Sequence, residues 1–248
     1  MSPGESVRGG GSRVKYVISD IHGCYDRFRA LTERIGIRAS DTLYILGDCV
    51  DKGPEPVRVL QDLAARDNVT ILMGNHDAAA LKVLRRLPEG VNEMNFRSLL
   101  PREDRLPYIF WMRDGGRITA EQFMALSGRE RDRLLDFMGA FLPYAETEAG
   151  GRHFVMVHAG IHDFAPDRPM SSYSMNDLIL HRADYGRRYF PEPDRILVTG
   201  HTPTFTIRSD GQSLVYREQG HLAVDCGCVY GGCLCAVCLD NLQVWYQT

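Results

Sequence analysis

Short apolar runs that end abruptly in polar, ligand-type side chains recur along this chain. Leu43, Tyr44, Ile45 and Leu46 form the sharpest of them, an unbroken run of the kind a strand shows when both its faces are buried. It stops at Gly47 and is followed at once by Asp48 and Asp51. Residues 14–19 end the same way in Asp20 and His22, and residues 69–73 end in Gly74, Asn75, His76 and Asp77. Residues 154–157 lead into His158, and residues 196–199 into Gly200 and His201. Between the first three runs the period changes. Residues 25–35 carry Phe28, Leu31 and Ile35 at helical spacing and close on Gly36, and residues 55–66 place Val59, Leu60 and Leu63 on one face with Pro56 near the start. Strand, loop, helix, strand is a βαβ unit, and in an open α/β sheet the carboxyl ends of the strands are where sites form.

From about residue 78 to 151 the pattern turns helical and predicts a cap or insertion beside that site. Ser127 to Glu130 and Thr119 to Gln122 read as capping boxes, and Leu134, Leu135, Phe137 and Met138 supply an apolar face. Residues 111–116, with the pair Gly115-Gly116, read as a loop at the cap's edge. After residue 203, turn signals at 209–211, 231–232 and 240–241 predict short antiparallel strands that complete a second sheet. One catalytic domain over residues 14–248 follows. The Gly- and Ser-rich residues 1–13 read as a disordered tail, without the apolar core of a signal peptide.

Composition narrows the partners. A formal charge of -3 over 248 residues gives no electrostatic reason to expect nucleic acid or a membrane surface, and no apolar run approaches a membrane span, so the cytoplasm is the expected compartment. Seven cysteines in such a chain suggest reduced thiols. Those at 226, 228, 233, 235 and 238 read as small buried hydrophobes on alternate positions of a hairpin. Only three of the 29 basic residues are lysine, which we read as codon bias.

The strand ends together offer Asp20, His22, Asp48, Asn75, His158 and His201. Carboxylates at the ends of buried strands are costly without a compensating cation, and this number of donors suits two divalent ions sharing one carboxylate. Mixed carboxylate, imidazole and amide ligation fits Mn first, with Fe or Zn as alternatives, better than Ca. His153, His162, His181 and His221 lack such placement and read as structural. The chain contains neither Cys-x5-Arg nor Asp-x-Asp-x-Thr, so the covalent phosphatase routes lack their nucleophile motifs.

Asp20-Ile21-His22-Gly23, the run from Gly47 to Gly53, Gly74-Asn75-His76-Asp77, His158-Ala159-Gly160 and Gly200-His201-Thr202-Pro203, in that order, resemble the calcineurin-like metallophosphoesterases. The similarity is greatest to the phosphoprotein phosphatase branch, particularly its small bacterial and phage serine/threonine phosphatases. It runs from Asp20 to beyond Gly231. The resemblance implies an α/β (α+β) fold, a four-layer αββα sandwich with the metals at the sheet ends. It puts one metal on Asp20, His22 and Asp48 and the other on Asp48, Asn75, His158 and His201, with a metal-bridging hydroxide attacking phosphorus in line with the leaving oxygen. It further implies that His76 protonates the leaving group, that Asp51 holds that imidazole, and that Asn75, Lys52 and Arg182 grip phosphate. Tyr230, in a loop bordering the cleft, would touch substrate.

Two departures bear on substrate. Lys52 and Met73 stand where many phosphatases of this branch have arginine; a lysine can neutralise phosphate but lacks the bidentate fork. Gly-Asn-His-Asp also occurs in the symmetrical diadenosine tetraphosphate hydrolases of the same scaffold, which typically lack a carboxylate at the Asp51 position. On that ground the expectation is a phosphoserine/phosphothreonine phosphatase acting on a phosphoprotein or phosphopeptide, with dinucleoside polyphosphate hydrolysis as the alternative.

Overall fold

Two sheets face each other, and the strand-end motifs collect along one of their edges. The computed structural model describes residues 13–248, so the tail expected at residues 1–13 lies, Arg13 apart, outside the described residues. In chain order come β1 (Lys15–Ile18), α1 (Tyr25–Ile35), β2 (Thr42–Ile45), α2 (Pro56–Ala64) and β3 (Val69–Ile71). Helices α3 (Asn75–Leu84), α4 (Phe96–Leu99), α5 (Arg102–Trp111), α6 (Arg117–Met124) and α7 (Gly128–Gly139) follow. Then come β4 (Tyr144–Ala149), β5 (Arg152–Val157), α8 (Met175–Ile179), β6 (Arg195–Thr199), β7 (Tyr216–Glu218), β8 (His221–Ala223), β9 (Leu234–Cys238) and β10 (Val244–Gln247).

The first sheet has the order β10-β9-β1-β2-β3 and the second β4-β5-β6-β8-β7. Strands β1, β2 and β3 are parallel, with Ile18 opposite Ile45 and Ile45 opposite Ile71, while β9 and β10 are added antiparallel. Strand alternation then sorts the side chains into layers. Ile18, Leu43 and Ile45 pack with Phe28, Leu31, Leu60 and Leu63 beneath the helices. Val17, Tyr44 and Leu46 point the other way and meet Phe154, Met156 and Val198 of the second sheet. Val155, Val157 and Leu197 turn to the far side against Leu178, Tyr189 and Phe190. The result is the expected mixed α/β sandwich, two mixed sheets flanked by helices, and the unbroken run Leu43 to Leu46 is explained by its burial on both faces.

The helices of residues 75–139 share the cluster of α1 and α2, through Leu81, Tyr108, Trp111, Phe123, Leu134 and Met138. Ser127 caps α7 as expected, accepting from Glu130 N. Three local expectations are corrected. Thr119 is no N-cap: α6 begins at Arg117, and Thr119 is buried inside its first turn, where its hydroxyl has another partner. Residues 111–116 are no loop: α5 runs to Trp111 and continues as a widened helical turn over Met112–Gly116, kinked at Asp114 and Gly115, where Gly115 takes φ 101°. The cysteine-rich stretch is not two arms of one hairpin, because it leaves the second sheet after β8 and enters the first at β9; its five cysteines are nonetheless all buried. Among the described residues no helix is long and apolar enough to cross a membrane.

Candidate active site

The loops after β1, β2 and β6 are wound unusually tightly. Asp20, His22, Asp48 and His201 all take left-handed backbone conformations, with φ of 50°, 44°, 52° and 64°. Such conformations cost a non-glycine residue about 1–3 kcal/mol each and persist where surrounding structure enforces them, characteristically at functional sites. Here the loops are laced together. His22 N donates to Asp48 O at 2.8 Å, Gly200 N to His158 O at 2.8 Å, and His201 N to Asp20 Oδ2 at 2.9 Å. Gly74 permits the approach: a Cβ there would lie 2.1 Å from Asp48 Oδ1. The motif that follows opens a helix, so Asn75 and His76 project from the first turn of α3, and His76 N donates to Asp48 Oδ1 at 3.0 Å. Asp77 clamps both loops, accepting from Asp48 N (2.7 Å), Cys49 N (3.0 Å) and Gly74 N (3.1 Å).

Asp48 lies at the centre. His22 Nε2 stands 3.4 Å from its Oδ2 and His158 Nε2 3.5 Å from its Oδ1. Each imidazole has its Nδ1 on a backbone carbonyl, His22 on Val50 (2.8 Å) and His158 on Leu46 (2.6 Å), which makes Nδ1 the protonated nitrogen and turns the Nε2 lone pair inward. Lone pair thus faces carboxylate. Asn75 Oδ1 adds a donor 3.0 Å from His158 Nε2 and 2.8 Å from His201 Nδ1. Single ligand atoms of His22, Asp48 and His76 lie within 4.8 Å of one another, as do those of Asp48, His158 and His201.

The electrostatics call for cations. Burial, joined by the charges of Asp225 and Asp48, raises Asp20 well above the carboxylate range, and burial with the charge of Asp48 pushes Asp225 up to about 7. Burial, aided by the Lys52 ammonium, drives His22 down to about 3 against the pull of Asp48; burial likewise lowers His158, and burial with the charge of His158 takes His201 to about 4. Asp48 is nevertheless held low although burial works against it, by positive charge assigned to His158, His22 and His76. A neutral His22 and a neutral His158 cannot be the source of that charge. The carbonyl-bonded tautomers favour neutral imidazoles, so the charge that keeps Asp48 ionised must come from elsewhere. Lys52 Nζ, 3.4 Å from His22 Nε2, already shows a cation drawn to these lone pairs. Asp20, His22, Asp48, Asn75, His158 and His201 therefore form a donor set that fits divalent metals.

His76 belongs to a second arrangement. Its Nδ1 meets Asp51 Oδ2 at 2.9 Å, and Asp51 is 0% exposed. Trp111 Nε1 donates to the same oxygen at 2.9 Å, and the Thr119 hydroxyl donates to Oδ1 at 2.7 Å. Burial works against a proton on His76, but the hydrogen bond that its ring donates to Asp51 and the charge of Asp48 outweigh it, so His76 is raised above its ordinary value. Lys52 Nζ, 2.7 Å from His76 Nε2, opposes this. Asp114 Oδ2 lies 3.6 Å from the same nitrogen.

A cavity of about 380 Å³ is lined by Asp20, His22, Asp48, Asn75 and His201 together with Lys52, Arg182 and Tyr230, so the structure brings the expected phosphate and substrate contacts to the same hollow. A second cavity of about 480 Å³ adjoins it, sharing Asn75, His76 and Asp114. Reading the sequence missed Trp111 and Thr119, whose contacts with Asp51 span 60 and 68 residues. It also missed Asp77, Asp114 and Asp225. Asp225 had a usable signal, for it follows a short apolar strand just as Asp20 and Asp48 do.

Comparison with known proteins gives this site a family. The model of the calcineurin-like phosphoesterases matches residues 16–226. Proteins named symmetrical bis(5'-nucleosyl)-tetraphosphatase match at 37% identity in Delftia acidovorans, over 59% of this chain and 44% of that one, and at 36% in Neisseria gonorrhoeae strain FA 1090, over 59% and 43%. The chain thus covers under half the length of these relatives. In fold it is similar to a crystal structure named only as a candidate diadenosine tetraphosphatase (TM-score 0.63, 18% identity, covering 94% of this chain and 92% of that one). It is also similar to a protein serine/threonine phosphatase of Saccharomyces cerevisiae (TM-score 0.56, 12% identity, 92% and 73%). These relatives overturn the expectation of a phosphoserine/phosphothreonine phosphatase with a phosphoprotein or phosphopeptide substrate, because the sequence matches carry the nucleotide hydrolase name. That expectation rested on Asp51, which lies wholly buried beneath His76 and the cap and lines neither cavity, so it is not placed to select a substrate. With its model spanning nearly the whole sandwich, and with buried histidines and carboxylates that fit metals, the chain belongs to the calcineurin-like phosphoesterase family, a family of metal-dependent phosphoesterases.

Proposed function

We propose that the protein hydrolyses dinucleoside tetraphosphates symmetrically, between the second and third phosphates, to two nucleoside diphosphates. The observation that carries this reading is the position of His76, at the junction of the metal-type hollow and a second cavity, so that a substrate with bulk on both sides of the scissile phosphate has room on both. The names of the relatives support the same substrate class.

In this reading Asp20, His22 and Asp48 hold one divalent ion and Asp48, Asn75, His158 and His201 the other, with Mn favoured over Fe or Zn by the mixed donor set. Such a pair supplies Lewis acidity, which acidifies water and neutralises phosphoryl oxygens. The chain's own groups do the rest. Arg182 and Lys52 bind the phosphate oxygens that face their shared hollow, and Tyr230 borders the same hollow. Once the Lys52 ammonium turns onto a phosphate, Nε2 of His76 is free to carry a proton, which it delivers to the departing diphosphate oxygen. Asp51 keeps the ring turned and charge-compensated, held in place by Trp111 and Thr119. Water adds one oxygen to phosphorus, and the bridging oxygen leaves with the other nucleoside diphosphate.

The test is product analysis by anion-exchange chromatography after Mn-loaded protein has acted on diadenosine tetraphosphate. ADP as the only product is expected. ATP with AMP, or no turnover, would contradict the proposal.

A further inference from the structure

The second cavity has features that the hydrolysis itself does not require. Beyond Asn75, His76, Lys82 and Asp114 its wall is apolar, with Leu106, Pro107, Phe110 and Trp111 along one side, and its volume of about 480 Å³ lies in the range that encloses a small ligand. Leu106 and Phe110 lie on α5, 61% and 65% exposed, although each is large and apolar. Trp111 beside them is buried and bound to Asp51, so this wall is anchored to the dyad that faces the leaving group.

Taking the proposed function as its premise, we infer that this cavity binds the nucleoside of the departing diphosphate, with the base against Phe110. Three features favour that occupant. The cavity opens at His76, which in that reading donates to the departing oxygen, so whatever is attached to that oxygen must continue into it. Phe110 offers a free aromatic face, and stacking on such faces accepts any base. Lys82, which lines the same cavity, supplies a cation for the diphosphate that joins the departing oxygen to the nucleoside. A purine or pyrimidine nucleoside diphosphate is thus the ligand class, with weak discrimination among bases.

The experiment compares wild type with Phe110→Ala, an exposed position whose truncation leaves the core intact. The readout is the ratio of kcat/KM for diadenosine tetraphosphate to kcat/KM for p-nitrophenyl phosphate, which has no base. A fall in this ratio on the order of tenfold, carried mainly by KM, is expected from the loss of one stacking face. A ratio equal to that of wild type, in a wild type that does cleave the dinucleotide to ADP, overturns the cavity assignment and leaves the proposed function standing. Failure of the wild type to cleave the dinucleotide at all overturns the proposed function, and the cavity assignment with it. A second measurement is independent of turnover: Mn-loaded wild type irradiated with 8-azidoadenosine diphosphate should carry the label on the peptide containing residues 106–111, and label confined to other peptides overturns the inference.

Discussion

Replacing Asp51 by asparagine should remove one negative charge from behind His76 while leaving the local geometry in place. Trp111 Nε1 can only donate, so the amide oxygen has to occupy the Oδ2 position, where it accepts from both Trp111 (2.9 Å) and His76 (2.9 Å). The amide nitrogen then faces Thr119 Oγ1, which already accepts from the backbone N–H of Asp51 and must turn its own hydroxyl hydrogen away, so the hydrogen bond it now donates is also lost and the melting curves should register it. What disappears is the charge in a hydrogen bond shielded from water at both ends. Hydrogen bonds to charged groups contribute about 1.5–3 kcal/mol, so if this stabilises His76 in the transition state, kcat/KM on diadenosine tetraphosphate should fall about 10- to 150-fold. The loss stays below the larger values of general acid catalysis because the departing diphosphate is already a good leaving group, with a last phosphate proton released near about pH 6. The pH profile should also move. Burial depresses His76, and the Asp51 hydrogen bond and the Asp48 charge raise it, so activity requiring the protonated ring persists above its ordinary value of about 6.5 in wild type. Without Asp51 the alkaline fall should shift to lower pH. Steady-state kinetics across pH, with melting curves to verify folding, measure both effects. A variant with the wild-type rate and profile would refute the role given to the pair.

Three further outcomes follow from the structure. Asp225 and Asp77 are raised to about 7 by burial and the charge of Asp48, so each contributes stability to the folded, metal-free protein that is lost as pH rises from about 4 to about 7, against the opposite contribution of the buried imidazoles of His22, His201 and His221. Thermal melts in chelator should therefore show stability falling less, or rising more, with pH across this window in Asp225→Asn than in wild type; parallel curves for the two proteins would contradict it. Trp111→Phe should destabilise the protein by about 1–3 kcal/mol, since it leaves the wholly buried Asp51 carboxylate one donor short, and denaturant titration would show a lower midpoint. Phe28→Ala, which empties a fully buried ring position between α1 and the first sheet, should cost about 3–5 kcal/mol by the same titration.

The parts of this fold legible in the sequence are those governed by local pattern. The unbroken run Leu43 to Leu46 reveals a strand because helices bury one face of β2 and the second sheet buries the other. Phe28, Leu31 and Ile35 reveal α1 because a single stripe faces one core. The metal-type donors were legible as a set because each follows a strand directly, where sheet geometry delivers side chains to a common edge. Contacts between distant segments left no such trace. Thr119 reads as a helix cap because threonine followed by glutamine is the local signature of one, and only the packing of α6 on the loop after β2 turns its hydroxyl to Asp51 instead. Gly115-Gly116 reads as a loop because paired glycines usually break helices, whereas here Gly115 supplies the left-handed kink that lets the chain continue as a helix. The crossing from β8 to β9 was hidden because cysteines at alternate positions look alike whether the two strands pair or lie in different sheets. Substrate was least legible, since Asp51, on which the expectation rested, is wholly buried and lines neither cavity.

The central claim is that an oxygen from water enters at an internal phosphate of a symmetrical dinucleotide, and oxygen labelling tests it most directly. Mn-loaded protein acting on diadenosine tetraphosphate in water enriched in oxygen-18 should release ADP alone, with a single labelled oxygen in half of the molecules, all of it on the terminal phosphate. Label in ATP or AMP, or ADP that carries none, would contradict the account.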